Sequence, residues 1–505
     1  MTMKRLIYTL VIMITAISCG KFDEYNTNPD STTEASAALL ATGVELGTFE
    51  HSGDAVAYIS NNALPKYVAY LNESGTATQY NEIGRCSFGS YIWWPTLEQM
   101  VKYASGTIYE PSYRGLAGFI KAWNAWYLTM QTGDIPYSEA GQGASGNVTP
   151  KYDTQEQVFV QILADLAEAE RQFAAGETFT GDIIYNGDVT KWRKATNAFR
   201  LKVIMSLGEK ASQAQKEEFA GIVSAGNLME DNADNLQLVY TSTEGTWHPL
   251  YNQTLFNPYT VLSETVAESL KELQDRRLFY FAEPAEEQLA AGLEESDYEA
   301  YTGADTSEDF EKLTTALSTS GSFSVINDRY IEVQGGDPFI HLSYAEQELI
   351  LAEAAELGWI TGSAEGYYMS GTEAALRMVA AFDKDNAYCH GMPIDESYIS
   401  GYFNGEAAFA STQQERLEQI WMQKYLLKFL QDGDDAYFDF RRTGFPDLPN
   451  NPDTSMNIDD KTAFPARWQY PASETETNYG NLTEALTRQF TNGYDGINEK
   501  PWILK

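Results

Sequence analysis

The sequence predicts a mostly α-helical protein, a single large domain of helix pairs joined by long irregular loops, with few short strands. Three observations predict it. Apolar residues recur at three- and four-residue spacing through five long segments, the period of a helix packed on one side. Stretches rich in Gly, Thr, Ser, Asn and Tyr separate those segments. Strand-like runs are few and short, Leu236 to Tyr240 and Phe323 to Ile326, enough for a hairpin or two.

Taken in order, the chain opens with Lys4 and Arg5 and then an apolar run from Leu6 to Ile17. About twelve apolar residues suit a signal-peptide core and are too few to span a bilayer, which needs about twenty. Ala16, Ile17 and Ser18 lead into Cys19, and this resembles a bacterial lipobox. Residues 1–18 are then a lipoprotein signal peptide and Cys19 the lipidated mature N-terminus; a plain secretory signal that leaves Cys19 an ordinary thiol is the alternative. Several acyl chains at about 0.8 kcal/mol per buried CH₂ would anchor a protein almost permanently. Residues 19–36 are polar and turn-forming and read as a tether, with the first helix starting from Glu34 onward and one domain filling 37–505.

The helical segments follow as "YRGLAGFIKAWNAWYLTMQ", "TQEQVFVQILADLAEAERQF", "KWRKATNAFRLKVIMSLGEKA", "SYAEQELILAEAAELGW" and "QERLEQIWMQKYLLKFLQDG". In the second, Val158, Phe159, Ile162, Leu163, Leu166, Ala169 and Phe173 form one stripe, with Thr154 placed to cap it. Pro136 in "GDIPY" fixes the exit of the chain from the helix before it, and Gly358 is placed as a left-handed stop before Trp359. No strict repeat is visible, yet such helix pairs can stack as divergent tetratricopeptide-like units. The acidic stretch "FAEPAEEQLAAGLEESDYEAYTGADTSEDFEKL" reads as a solvated insertion within the domain.

Composition narrows the function. The 505 residues are 43% apolar and carry 72 acidic against 34 basic side chains, a net charge of −38 that becomes −40 once Lys4 and Arg5 leave. Nucleic acid and bare anionic lipid are repelled by such a surface. With Cys19 committed to lipid, Cys86 and Cys389 allow one disulfide at most, and no cysteine-based zinc site.

Catalytic motifs are absent: there is no GxxxxGK[ST] loop, GxSxG elbow or HExxH helix. His51, His248, His341 and His390 are scattered and read as surface or loop residues. "DKDNAY" from Asp383 and "DGDDAYFD" from Asp432 lack the glycine and glutamate of an EF-hand. The second lies beside Arg441 and Arg442, forked donors suited to the preceding acids or to Glu474, so a buried acid–arginine network is expected there. Neither metal nor cofactor is expected.

"GDIPYSEA", "KWRKATNAFRLKVIMSL", "LILAEAAELGW", "QIWMQKYLLKFLQDGDDAYFDFRRTGFPDL" and "FPARWQYPASETETNYGN", together with the "NTNP" tetrad at Asn26 to Pro29, resemble in order the landmarks of the SusD/RagB nutrient-binding outer-membrane lipoproteins of the Bacteroidetes. The resemblance covers nearly the whole mature chain. It implies a tetratricopeptide-like helical fold, anchored at the cell surface and seated as a lid on a SusC-like TonB-dependent transporter. It further implies a ligand that is an oligosaccharide, or in some members a peptide, and no chemistry.

A sugar presents an apolar C–H face and a hydroxyl edge, so its sites combine exposed aromatic rings with polar hydrogen-bonders. Two loops qualify. One holds Tyr91, Trp93 and Trp94 just ahead of a helix, where the two adjacent tryptophans are not easily both buried. The other, "STEGTWHPLYNQTLFNPY", holds Trp247, Tyr251, Asn252 and Tyr259. For every one of these aromatics, packing onto the scaffold is the competing role. Three readings result: a glycan-binding lid, the same lid binding peptides, and a secreted acidic helical glycosidase.

Overall fold

Helices do dominate. The computed structural model describes residues 35–50, 55–72 and 77–505; the expected signal peptide, Cys19, most of the tether and His51 lie outside the described residues. The first helix, α1 (Ala37–Phe49), starts a little later than Glu34 because the Ser36 hydroxyl accepts from Leu39 N and sets the cap there. The other longer helices of the first half are α2 (Ala55–Ala63), α3 (Trp93–Ala104), α4 (Glu110–Thr132), α5 (Gln155–Ala174), α6 (Val189–Ser206) and α7 (Gln213–Ala225). Those of the second half are α8 (Glu264–Glu272), α9 (Phe310–Ser320), α10 (Tyr344–Glu356), α11 (Ala364–Phe382), α12 (Gln413–Leu427), α13 (Gly433–Thr443) and α14 (Tyr479–Gln489).

Sequence-local chemistry sets these elements. Thr154 caps α5 in a full capping box with Gln157, and the whole predicted stripe from Val158 to Phe173 is buried. Gly133 (φ +105°) closes α4 before Pro136, and Gly358 (φ +71°) follows α10 in the left-handed region, which glycine adopts without a Cβ clash. Helix α4 packs against α3 and α5, α5 against α6, and α10 against both α11 and α12. One large core lies among α1 and α3 to α7, and a second gathers around α8, α12 and the 278–282 segment.

Between α6, α10, α12 and α13 lies the network anticipated from the Asp432 cluster, larger than the sequence implied. Lys202 bonds Glu346 (3.1 Å) and Asp435 (2.5 Å), and Lys428 bonds the same two acids. Lys424 bonds Asp439 (2.7 Å) and Glu353 (3.4 Å), and Arg442 forks onto Glu353 (2.6 and 3.1 Å). Burial alone would raise the Glu353 pKa; Arg442 and Lys424 outweigh it and hold the carboxylate below its ordinary range. Four cations thus meet four acids, which lets the charges stay buried. Arg441 departs from expectation: it donates to the carbonyls of Ala466 and Met130, while Glu474 accepts from Tyr152.

Three further expectations need correction. The strands β1 (Val68–Tyr70), β2 (Leu236–Leu238), β3 (Thr260–Leu262) and β4 (Phe339–Leu342) form two antiparallel pairs, β1 with β3 and β2 with β4. These are long-range pairings, not hairpins, and Phe323 to Ile326 contributes only isolated bridges at Val325 and Ile326. The acidic insertion is not purely solvated, since Ala282, Ala300 and Tyr301 are buried in the second core and Ala285 is buried as well. His341 is neither on the surface nor in a loop but buried in β4, with Nε2 at 2.9 Å from the Phe49 carbonyl and its ring against Phe49; His248 lies in a loop as expected, though buried there. Within the bound of one disulfide at most, Cys86 and Cys389 are both buried and are not joined to each other. Among the described residues no helix is long and apolar enough to cross a membrane.

Candidate functional site

The two aromatic loops have opposite fates. Trp93 and Trp94 are not ahead of a helix; they form the first turn of α3. Successive helical residues point about 100° apart, so each ring finds a different neighbour. Trp93 lies on Gly47 of α1, so closely that a Cβ there would come within 1.9 Å of its ring. Trp94, 5% exposed, makes edge contacts with Tyr91 (4.9 Å) and Tyr137 (5.4 Å) under Lys121. Tyr91 is half-buried and its hydroxyl donates to the Pro136 carbonyl. This corrects the expectation that one of the tryptophans is free: Trp94 is walled in and Trp93 is half-covered. As a group they join α1, α3 and α4.

The second loop stays open. Trp247 is 40% exposed, with Nε1 donating to the Ser242 carbonyl (3.2 Å) and its ring edge-on to Tyr251 at 5.2 Å. Asn252 takes a left-handed turn (φ +60°) and its N–H donates to Ile331 O (2.8 Å), leaving the side chain exposed. Gln334 donates to the Tyr251 hydroxyl (3.4 Å). The Trp247–Asn252 turn is thereby pinned to segment 331–334.

Two clefts flank that segment. The first, about 580 Å³, is walled by Asn232, Asn235 and Gln237 from the β2 side, by Thr241 and Ser242, and by Arg377, Lys384 and Tyr388. Amides, hydroxyls and ring faces meet here without a net sign of charge, since Asp383 and Asp385 share the wall. The Asp383 carboxylate accepts from the Ala387 and Tyr388 N–H groups, so "DKDNAY" is a closed loop that shapes a cleft wall. Trp247, Tyr251 and Asn252 do not line this cleft; Trp247 reaches its rim through the bond to the Ser242 carbonyl. Tyr259, 36% exposed, lines the second cleft instead. The seven sequence candidates therefore divide into a packed trio, a turn at the first cleft and one ring at the second. The amide and Arg377 wall was missed because its members lie on segments far apart in the chain.

Near the second cleft, His390 places Nε2 at 3.2 Å from Glu283 and Nδ1 at 3.5 Å from Glu295. Burial opposes its charged form, but the two carboxylates outweigh this and hold its pKa above the ordinary value. Among the described residues no group of three or more His, Cys, Asp or Glu is arranged to hold a metal ion.

Helix pairs around one scaffold, with open clefts bounded by loops, define a helical binding protein. The family model described as SusD-like, "Starch-binding associating with outer membrane", matches residues 29–471, and the chain belongs to this family of nutrient-binding proteins. It is similar to a SusD homologue from Bacteroides fragilis at 40% identity and TM-score 0.88, covering 93% of this chain and all of that one. A second B. fragilis SusD homologue is 32% identical with TM-score 0.82, over 94% of this chain and all of that one. A structure described as a chitin-binding protein is 25% identical with TM-score 0.72, over 93% and 99%. Among curated proteins none matches.

Proposed function

We propose that the chain is a surface-exposed outer-membrane lipoprotein, anchored through Cys19, which binds oligosaccharides and passes them to a SusC-like TonB-dependent importer without transforming them. The observation that carries the glycan reading is the exposed Trp247 ring beside a cleft of amides and hydroxyls, the pairing of apolar platform and polar edge that a pyranose needs. The starch-binding character named for the family and the chitin-binding character named for a 25%-identical relative support the same ligand class. A lid role requires one face to dock while another moves, and a tether of residues 19–36 has the length for it.

Titration of the lipid-free protein with panels of neutral oligosaccharides and of peptides tests this reading. Binding of at least one oligosaccharide without its cleavage is expected. Binding confined to peptides, or hydrolysis of a polysaccharide by the purified chain, would overturn it.

A further inference from the structure

The second cleft differs in kind from the first. It measures about 460 Å³ and its wall is Leu71, Tyr259, Leu317, Phe323, Val325 and Ile331. Leu71 belongs to a small core cluster with Ala69, Val261 and Leu313, and Leu317, Phe323 and Val325 are the half-covered members of that cluster. The cleft is thus the open side of a core. A concavity of this size matches a small-molecule site and is too small for a docked helix, whose diameter with side chains is about 10–12 Å.

Its polar groups are mostly acceptors, the exposed Tyr259 hydroxyl alone among its side-chain hydroxyls keeping its proton for an occupant. The Thr314 and Ser318 hydroxyls donate to the carbonyls of Phe310 and Thr315, leaving only lone pairs. Glu286 adds a carboxylate. Asn257, 8% exposed, gives its amide nitrogen to Asp328 while its Oδ1 has no partner among the described residues. Among the described residues no Lys or Arg lines the cleft. Anionic occupants are disfavoured, and an apolar body carrying a hydroxyl donor is favoured.

The two clefts are neighbours. Ile331 lines the second and Val333 the first, at most about 7 Å apart along the backbone. The Trp247–Asn252 turn is bonded to this partition through Ile331 and Gln334.

We propose that the second cleft is a subsite for a hydroxyaryl substituent carried by a glycan that lies over the first. The proposal rests on the glycan reading of the first cleft. A sugar chain stacked at Trp247 and crossing the 331–333 partition would bring such a substituent down beside Tyr259 and Phe323. Those rings and the aliphatic wall would take its faces, and Glu286 would accept from its hydroxyl.

The test compares a parent oligosaccharide, its 4-hydroxyphenyl glycoside and phenol alone by calorimetry and ligand-observed NMR, on the wild-type protein and on Ser318→Trp. Ser318 is exposed on α9, so the indole fills the cleft without entering the fold's core. Tyr259→Ala serves as a second variant. The glycoside is expected to bind at least about tenfold more tightly than the parent. Ser318→Trp should remove that gain and leave parent binding unchanged, and Tyr259→Ala should reduce the gain. Absence of a gain, or a gain that persists in Ser318→Trp, overturns the subsite. Phenol bound by the wild type and lost in Ser318→Trp, with no sugar bound at all, upholds the apolar subsite and overturns the glycan reading. Apolar peptides displaced by Ser318→Trp while glycosides are unaffected would overturn the assigned substituent.

Discussion

The segments around Trp94 and Trp247 are near equals as sequence and opposites as structure. Both crowd tryptophan and tyrosine among Gly, Ser and Pro. Around Trp94 the chain enters α3 at once, and the helix turns adjacent rings toward Gly47 on one side and Tyr137 on the other. Around Trp247 no helix follows directly; a left-handed residue, Asn252, and bonds to 331–334 hold the turn at the rim of the first cleft. An aromatic loop becomes a mortar when a helix with a small residue faces it, and stays exposed when it meets only a backbone carbonyl and one neighbouring ring.

The largest expected effect breaks the packed side of this contrast. Trp94→Ala empties a site among Tyr91, Tyr137 and Lys121, and should cost about 3–5 kcal/mol of stability in urea unfolding. The protein that remains folded should bind ligand as before. Gly47→Val is next: its side chain collides with the Trp93 ring, so a loss of about 1–3 kcal/mol is expected, with increased quenching of tryptophan fluorescence by acrylamide as that ring is pushed out.

A smaller and local effect belongs to the open side. A neutral imidazole has one N–H, whereas both His390 nitrogens face carboxylates, Glu283 and Glu295, with Asp328 also within electrostatic reach. The folded pKa lies above the ordinary value, about 6.5. The added stability is therefore complete below about pH 6.5 and is lost as pH rises through the folded pKa. Hydrogen exchange of residues 283–300, corrected for intrinsic rates, should slow less at pH 8.5 than at pH 6, and His390→Gln should abolish the difference.

Much of the scaffold was legible because its signals are local. The Val158–Phe173 stripe, the Thr154 cap and Gly358 are read within a few residues of where they act. The acid–arginine cluster was legible at Asp439 and Arg442, three residues apart, but not at Lys202, which reaches Asp435 from more than two hundred residues away. The pairing of Leu236 with Leu342, the burial of His341 against Phe49 and the joining of Gln237 with Tyr388 in one cleft failed for the same reason. Burial of Trp94 was hidden in a different way: residue type reports what a ring can do, and only its neighbours decide whether a ligand can reach it.

The central claim is that the Trp247 turn binds sugar and the Trp94 segment does not. Affinity of the folded Trp247→Ala variant for an oligosaccharide bound by the wild type tests it most directly. We expect roughly tenfold weaker binding at a stability within about 0.5 kcal/mol of the wild type. Unchanged affinity in Trp247→Ala, with binding lost instead in folded Trp94→Ala, would contradict it.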